Sequence, residues 1–196
     1  MSESELAGSD IYLQPNVVFE QGQKYMICAQ SGHGKSSLLN FIYGSSRAYD
    51  GTIDYGEAVA DPFVLRRQTL SYLFQDLCLF PQLTAMENLD LKNSLTHYKS
   101  SAELTAMLDA LLPADKKSQP VGTLSLGQRQ RVAVVRALCQ PFRFLMLDEP
   151  FSHIDRQNAQ AVAQLVMHEV DRQGASLIVT ALDAIDLFPF DHVMQL

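Results

Sequence analysis

The chain has 196 residues, of which 47% are hydrophobic and 19% are charged, a composition that predicts one soluble globular domain with a sizeable core. The formal net charge of −7 argues against a general nucleic-acid-binding surface, because such surfaces carry excess positive charge. No stretch approaches the roughly 20 apolar residues of a membrane-spanning helix, and the acidic N-terminus lacks signal-peptide features, so we expect a cytoplasmic protein.

The first predicted elements are short strands. Residues 11–13 and 17–20 are predicted as two strands joined by a Pro-Asn turn, and residues 51–56 alternate like another strand. Between them, the apolar run 25–29 predicts a buried strand and residues 38–42 a helix. The three widely spaced cysteines, which form no C-x-x-C pair, are predicted to be buried free thiols.

A glycine-rich turn, residues 30–37, joins that strand to that helix. Gly32 and Gly34 allow backbone N–H groups to converge on phosphate oxygens, Lys35 can reach terminal phosphates, and the Ser36 hydroxyl can ligate Mg²⁺. Ala29 stands where the pattern G-x-x-x-x-G-K-[ST] begins with glycine. The alternative is a chance glycine turn without a ligand. The predicted phosphate-binding residues are Ser31, Gly32, His33, Gly34, Lys35, Ser36 and Ser37.

A helical segment follows the predicted strand 70–74. Thr84 is predicted to cap one helix and Ser101 to cap the next, and prolines end the segment near residue 121. We interpret this as an insertion into an α/β core. The predicted division is a core of about residues 11–80 and 140–196, with a helical subdomain of about 81–139.

The core then resumes with further alternation of helices and strands. A helix begins at Ser125, residues 142–147 form an apolar strand, and a helix over 158–172 stops at Gly174. Strands at 177–179 and 192–196 complete the pattern. The predicted fold is an α/β P-loop NTPase with a mainly parallel sheet covered by helices, a reduced N-terminal antiparallel β region and the inserted helical subdomain.

Two carboxylates follow the apolar strand that ends near residue 147. A parallel strand would deliver Asp148 to the carboxyl edge of the sheet, where it could hold a Mg²⁺-bound water. Glu149, one residue further, could act as general base toward an attacking water. The alternative is an exposed Asp-Glu turn closed by Pro150.

The helix start at residues 124–131 is a second candidate anion site. Ser125 and the free N–H groups at this helix start can bind an anion. Two separate phosphate-facing elements in one chain favour a dimer in which each helix start closes over the nucleotide held by the partner. A capped helix without a ligand is the alternative.

Together these residues resemble the nucleotide-binding subunit of an ATP-binding cassette (ABC) transporter. Residues 148–150 and 124–128 are similar to its strand end and signature, residues 74–76 to its glutamine loop, and residues 151–155 to its dimer-contact loop. Residues 73–76 and 80–89 further resemble the lipoprotein-releasing and macrolide-exporter branch.

The resemblance implies ATP and Mg²⁺ as cofactors. It implies that Gln75 contacts the metal and the lytic water. Ser125, Gly127 and Gln128 would bind the ATP of a partner subunit. The implied partners are a second nucleotide-binding subunit, in a homodimer or heterodimer, and an integral membrane permease at the inner face of the cell membrane. No nucleic-acid partner is expected.

Several positions depart from the family pattern. Ala181 stands where the family has a histidine that contacts the γ-phosphate, so we predict slow hydrolysis with ATP binding retained. Leu126 replaces a signature glycine, which we expect to be mild. Tyr12 is predicted to pack against the protein rather than stack on adenine, so we expect weak discrimination between ATP and GTP.

These departures leave two alternatives to the transporter ATPase. Ala181 favours a hydrolysis-poor, ATP-dependent dimerising regulator. A soluble relative acting on ribosomes or DNA is less favoured, because such proteins carry two fused cassettes or long coiled insertions.

Overall fold

A five-stranded parallel sheet forms the centre of the molecule, and the computed structural model describes residues 9–56 and 61–196. The strand order is β2-β3-β4-β1-β5, and all four strand pairs are parallel. This confirms the predicted parallel sheet. The strands are β1 (Lys24–Cys28), β2 (Leu70–Leu73), β3 (Phe144–Asp148), β4 (Ser176–Ala181) and β5 (His192–Gln195).

Helices cover both faces of this sheet. No helix within residues 9–56 and 61–196 is both long and apolar enough to cross a membrane. The helices are α1 (Lys35–Ile42), α2 (Pro62–Val64, continued by a π-helix at Leu65–Thr69), α3 (Ala85–Asn93), α4 (Ser101–Leu111), α5 (Leu126–Ala137) and α6 (Arg156–Gln173), with 3₁₀ turns at Ala114–Lys116 and Val121–Thr123.

Alternate side chains of the central strands enter two separate apolar clusters. Leu145 and Leu147 of β3 pack with α3 to α6, whereas Met146 packs on the opposite face with α1. Because β3 is buried on both faces, its residues before Asp148 are all apolar instead of alternating. The helices α3 to α5 share their cluster with the sheet, and their division into a separate subdomain stays a prediction.

The prediction of an N-terminal antiparallel β region was wrong for the segments that the structure describes. Residues 11–13 form turns, and neither 17–20 nor 51–56 forms a strand. Each segment is short, and within residues 9–56 and 61–196 none of them pairs with a neighbouring strand. Asp10 instead binds the sheet edge: its backbone N–H donates to Gln195 O at 2.8 Å, and its carboxylate accepts the Gln195 N–H at 2.7 Å.

Side-chain caps define the start of five helices, α2 to α6, and the cap of α2 is Asp61. Thr84 caps α3, as predicted, and Asp155 caps α6. The cap of α4 is Ser100, not the predicted Ser101, because the Ser100 hydroxyl accepts the Glu103 N–H at 3.3 Å. Gly174 ends α6 in the left-handed conformation, with φ +58°, as predicted.

The three cysteines are free thiols, but they are not all buried. Cys28 and Cys139 are buried, whereas Cys78 is exposed, so the prediction was wrong for Cys78. Partial desolvation by neighbouring atoms, followed by a hydrogen bond from the thiol to the nearby Asp76 carboxylate, raises the pKa of Cys78 to about 11. The Cys78 thiol is therefore protonated and weakly nucleophilic near neutral pH.

Candidate functional site

The candidate site lies at the carboxyl edge of the sheet. Parallel strands end at the same edge, so the residues that follow β1, β2, β3 and β4 are brought together there. The residues at this edge include Lys35 after β1, Gln75 after β2, and Asp148 and Glu149 at the end of β3. The position of Asp148 at this edge, followed by Glu149, agrees with the sequence prediction.

The glycine-rich turn ends directly at α1. Gly32 and Gly34 have φ +84° and +86°, a conformation that side-chain-bearing residues rarely adopt. No side chain caps α1, whereas Thr84, Ser100 and Ser125 cap α3, α4 and α5. The first N–H groups of α1 are therefore available to an anion. Within the turn, Ser31 and Ser37 are exposed and His33 is half-buried.

Lys35, the first residue of α1, is buried beneath this turn. Its Nζ donates to the carbonyl oxygens of Ala29 at 2.7 Å and Gln30 at 3.1 Å, and lies 3.2 Å from Glu149 Oε1. The ammonium group is thus held between the turn and the carboxylate that follows β3. Two predicted site residues, far apart in sequence, are in direct contact.

Ser36 and Gln75 form a second contact between loops at this edge. The Ser36 hydroxyl donates to Gln75 Oε1 at 3.1 Å. Mg²⁺ prefers oxygen ligands and usually keeps waters and phosphate oxygens in its shell, so this hydroxyl and amide oxygen fit that ion. Within the described ranges, no group of three or more His, Cys, Asp and Glu side chains is arranged to hold a metal ion. A metal at this edge would therefore also need other oxygen ligands, such as those of Ser36, Gln75 and a phosphate.

Asp148 is buried at the end of β3, with both carboxylate oxygens hydrogen-bonded. Thr180 of β4 donates to Oδ1 at 2.6 Å, and Tyr72 of β2 donates to Oδ2 at 3.3 Å. Burial, together with the neighbouring Asp148 charge, raises the pKa of Tyr72, which therefore remains a donor. The sequence prediction missed Thr180 and Tyr72, although both are hydroxyl-bearing residues within buried strands, which was a signal.

Glu149 has a strained backbone, with φ +47°. Its N–H donates to the carbonyl and hydroxyl oxygens of Thr180, both at 3.2 Å. Its carbonyl oxygen accepts the side-chain amide of Gln130, on α5, at 2.9 Å. Gln130 was also missed, because its sequence position on a helix gives no sign of this contact.

The start of α5 is not joined to the glycine-rich turn. Ser125 and Gln128 form a capping box, in which the Ser125 hydroxyl accepts the Gln128 N–H and the Gln128 side chain accepts the Ser125 N–H. Among the described residues, no hydrogen bond or ion pair links either residue to residues 30–37. The structure therefore does not bring all the predicted site residues of one chain together.

Gly127, in the first turn of α5, is required by packing. A Cβ atom there would lie 2.4 Å from the backbone oxygen of His153. This contact explains the glycine through the close approach of α5 to the loop after β3. The predicted contact of Gly127 with ATP stays a prediction.

Comparison with known proteins assigns the chain to a family. The sequence profile of the family described as ABC transporter matches residues 13–152. The chain belongs to the ABC transporter family. It is an ATP-binding cassette with the ATPase fold of that family.

Relatives and solved structures agree with this membership. The ABC cassette is 34% identical to the lipoprotein-releasing system ATP-binding protein LolD of Koribacter versatilis, over 88% of this chain and 82% of that protein. It is 30% identical to LolD of Saccharophagus degradans, over 92% and 83%. A dimeric bacterial ABC transporter cassette, MJ0796, superposes with TM-score 0.74 at 28% identity, covering 86% of this chain and 78% of that chain. The same protein in a post-hydrolysis state with ADP and Pi gives 0.73.

In this ABC cassette, Ala181 is the last residue of β4. Its carbonyl oxygen accepts the Ala29 N–H at 3.2 Å, so it lies beside the start of the glycine-rich turn. His192 does not take the place of the missing histidine: it lies on β5, stacked on Tyr25 with ring centroids 4.8 Å apart. Tyr12 packs against the apolar cluster on the α1 side, in agreement with the prediction that it is a packing residue.

Proposed function

We propose that this chain binds ATP·Mg²⁺ through residues 30–37, hydrolyses it within a dimer of nucleotide-binding subunits, and thereby drives an integral membrane permease. The observation that carries the proposal is the pair of contacts Lys35–Glu149 and Ser36–Gln75. These contacts bring the four side chains to one edge of the sheet, which supports the proposed roles of Lys35 as phosphate-binding cation, Glu149 as general base, and Ser36 and Gln75 as oxygen ligands. This is the set of groups that phosphoryl transfer to water requires.

Each residue has a role that follows from its surroundings. Lys35 and the free N–H groups of α1 bind the terminal phosphates, and Ser36 and Gln75 hold the metal. Asp148 accepts only one hydroxyl hydrogen bond at each oxygen, which leaves lone pairs for a metal-bound water. Mg²⁺, when bound, neutralises charge that develops on the phosphates. Glu149 takes the proton of the attacking water.

The dimer follows from the separation of the two half-sites. In this proposal Ser125, Gly127 and Gln128 act on the ATP held by the partner subunit, whether the partner is a second copy or a different cassette. The absence of any described contact between Ser125 or Gln128 and residues 30–37 supports this assignment, as does the similarity to a dimeric cassette.

A groove between α2 and the end of α3 is the proposed permease-docking surface. It has a volume of about 500 Å³ and presents exposed Phe63 and Leu95 beside basic side chains. In a chain of net charge −7, this local positive charge favours an amphipathic segment that carries a carboxylate. Such docking would hold the cassette at the inner face of the membrane. The lining residues are Tyr43, Asp61, Pro62, Phe63, Arg66, Arg67, Lys92 and Leu95.

The type of permease is proposed from the relatives. Two of the similar proteins are ATP-binding proteins of lipoprotein-releasing systems. We therefore propose a permease related to those of lipoprotein-releasing and macrolide-exporting systems.

ATP binding and phosphate release by the purified chain test the catalytic part. Lys35→Met is expected to abolish ATP binding, and Glu149→Gln to retain binding while phosphate release falls to a small but measurable residual rate. Lys116→Met, at a surface lysine with only a neighbouring carboxylate as partner, is the control. Wild-type phosphate release by Glu149→Gln would contradict the assignment of the base.

Phe63→Asp tests the docking groove. It is expected to weaken binding to the permease without changing ATP hydrolysis by the isolated chain, because Phe63 is exposed and makes no described contact with the nucleotide site. Equal permease binding by wild type and variant would contradict the proposed surface.

A dimerising regulator with little hydrolysis is the second candidate. Ala181 favours it, because the site has no histidine at this strand end. ATP-dependent dimerisation with no phosphate release, even with the permease present, would identify this alternative.

A further inference from the structure

Gln130 connects α5 to the turn that carries Glu149. It is a buried side chain, 3% exposed, one turn beyond the start of α5. Its Nε2 donates to Glu149 O at 2.9 Å and to Ser152 Oγ at 3.3 Å, and its Oε1 accepts the His153 N–H at 3.2 Å. The single amide of Gln130 thus contacts three residues of the loop after β3: Glu149, Ser152 and His153.

The turn that Gln130 contacts has a strained backbone at Glu149, the proposed general base. Glu149 has φ +47°, and a non-glycine residue keeps that conformation only where its surroundings enforce it. Its carbonyl oxygen accepts from Gln130 and also from the backbone N–H and hydroxyl of Ser152, at 3.3 and 3.1 Å. Gln130 is the only one of these donors that comes from outside the turn.

Backbone packing reinforces the same connection. Gly127 allows α5 to approach the His153 carbonyl so closely that a Cβ atom would clash at 2.4 Å. The start of α5 and the turn at Glu149 are therefore held together both by this contact and by the Gln130 amide. A change in the position of one is transmitted to the other.

We propose that Gln130 is a positioning residue for hydrolysis, which fixes the Glu149 carboxylate relative to α5. This inference rests on the proposed role of Glu149 as base. Because α5 starts at the residues proposed to contact the partner's ATP, Gln130 joins that contact to the base of the chain's own site. Misplacement of a reacting group by about 1 Å can cost about 10²-fold in rate.

Gln130→Met tests the proposal, because methionine has a similar size but lacks both the donor and the acceptor. We expect kcat to fall about 10²-fold while KM and the Kd for MgATP stay within about threefold. Gln140→Met is the matched control: Gln140 is equally buried, and its Nε2 donates to Arg66 O and Leu70 O at 2.9 and 3.0 Å. Both variants are expected to lower the melting temperature, but only Gln130→Met lowers kcat.

A double variant separates positioning from general destabilisation. In a Glu149→Gln background, Gln130→Met is expected to cause no further loss, because it acts through Glu149. An equal fractional loss in both backgrounds, or equal kcat values for Gln130→Met and Gln140→Met, would overturn the inference. If Gln130→Met does not fold, Gln130→Leu gives the same test, since it is also apolar and removes both the donor and the acceptor. Full activity of Glu149→Gln alone would instead count against the proposed base.

Discussion

Ala181→His is the substitution most directly linked to the rate of this ATPase. Ala181 ends β4 beside the glycine-rich turn, next to Thr180, which holds Asp148. The resemblance to the family implies that a histidine here would donate to the γ-phosphate. A preorganised donor of this type contributes about 10²–10³ in rate, or about 2.7–4 kcal/mol. Because the pocket is not adapted to an imidazole, we expect part of this gain, a rise in kcat of about 10-fold to 10²-fold.

The substitution also has a cost in stability. Ala181 is 5% exposed, so an imidazole must displace neighbouring atoms, which typically costs about 1–3 kcal/mol. A urea unfolding curve is therefore measured first, followed by the Kd for ATP. Single-turnover phosphate release then reports the chemical step without the contribution of product release.

Two control variants separate the chemistry of the imidazole from its bulk. Ala181→Phe adds a ring without a donor and is expected to give no increase in rate. Leu182→His places the same imidazole one residue further, at a side chain that is half exposed, and is also expected to give none. If folded Ala181→His binds ATP normally and hydrolyses it no faster, the missing histidine does not limit the rate.

Three further predictions concern stability. Thr180→Val removes the buried hydrogen bond to Asp148 and should lower the free energy of unfolding by about 1.5–3 kcal/mol; urea unfolding without nucleotide measures it, and an unchanged midpoint contradicts it. Gly127→Ala should cost about 1–3 kcal/mol in the same assay, because its Cβ meets His153 O; a defect seen only with ATP would contradict the packing role. Burial, then the nearby positive charge of α5, lowers the pKa of Lys92 to about 8. Since the unfolded chain keeps this proton to about pH 10.4, stability should rise between pH 8 and about 10, and Lys92→Met should reduce that rise.

The carboxyl-edge residues were predictable because local sequence was sufficient to place them. A predicted buried parallel strand assigned Asp148, and Glu149 after it, to the carboxyl edge of the sheet before the strand order was known, whereas the role of Gln75 was implied by the family resemblance. The contact between Lys35 and Glu149 agrees with this assignment. The strand order itself was not needed.

The errors and omissions depend on partners that local sequence does not specify. Residues 17–20 have the apolar composition of a short strand, but a strand needs a neighbour, and no described segment pairs with them. Thr180 and Tyr72 support Asp148 only because β2 and β4 flank β3. Gln130 contacts Glu149 only because α5 lies against the turn after β3. These facts belong to the tertiary arrangement.

Two alanines that replace expected residues show why a departure from a motif must be judged by its contacts. Ala29 and Ala181 are neighbours, joined by the hydrogen bond from Ala29 N–H to Ala181 O. The Ala29 side chain packs in the apolar cluster with Leu39, and its backbone oxygen still accepts from Lys35, so the turn keeps its lysine contact. Ala181 also fits its strand, but it has no group that can donate to a phosphate. The first replacement therefore preserves the contact of the turn with Lys35, whereas the second removes a donor from the proposed hydrolytic step.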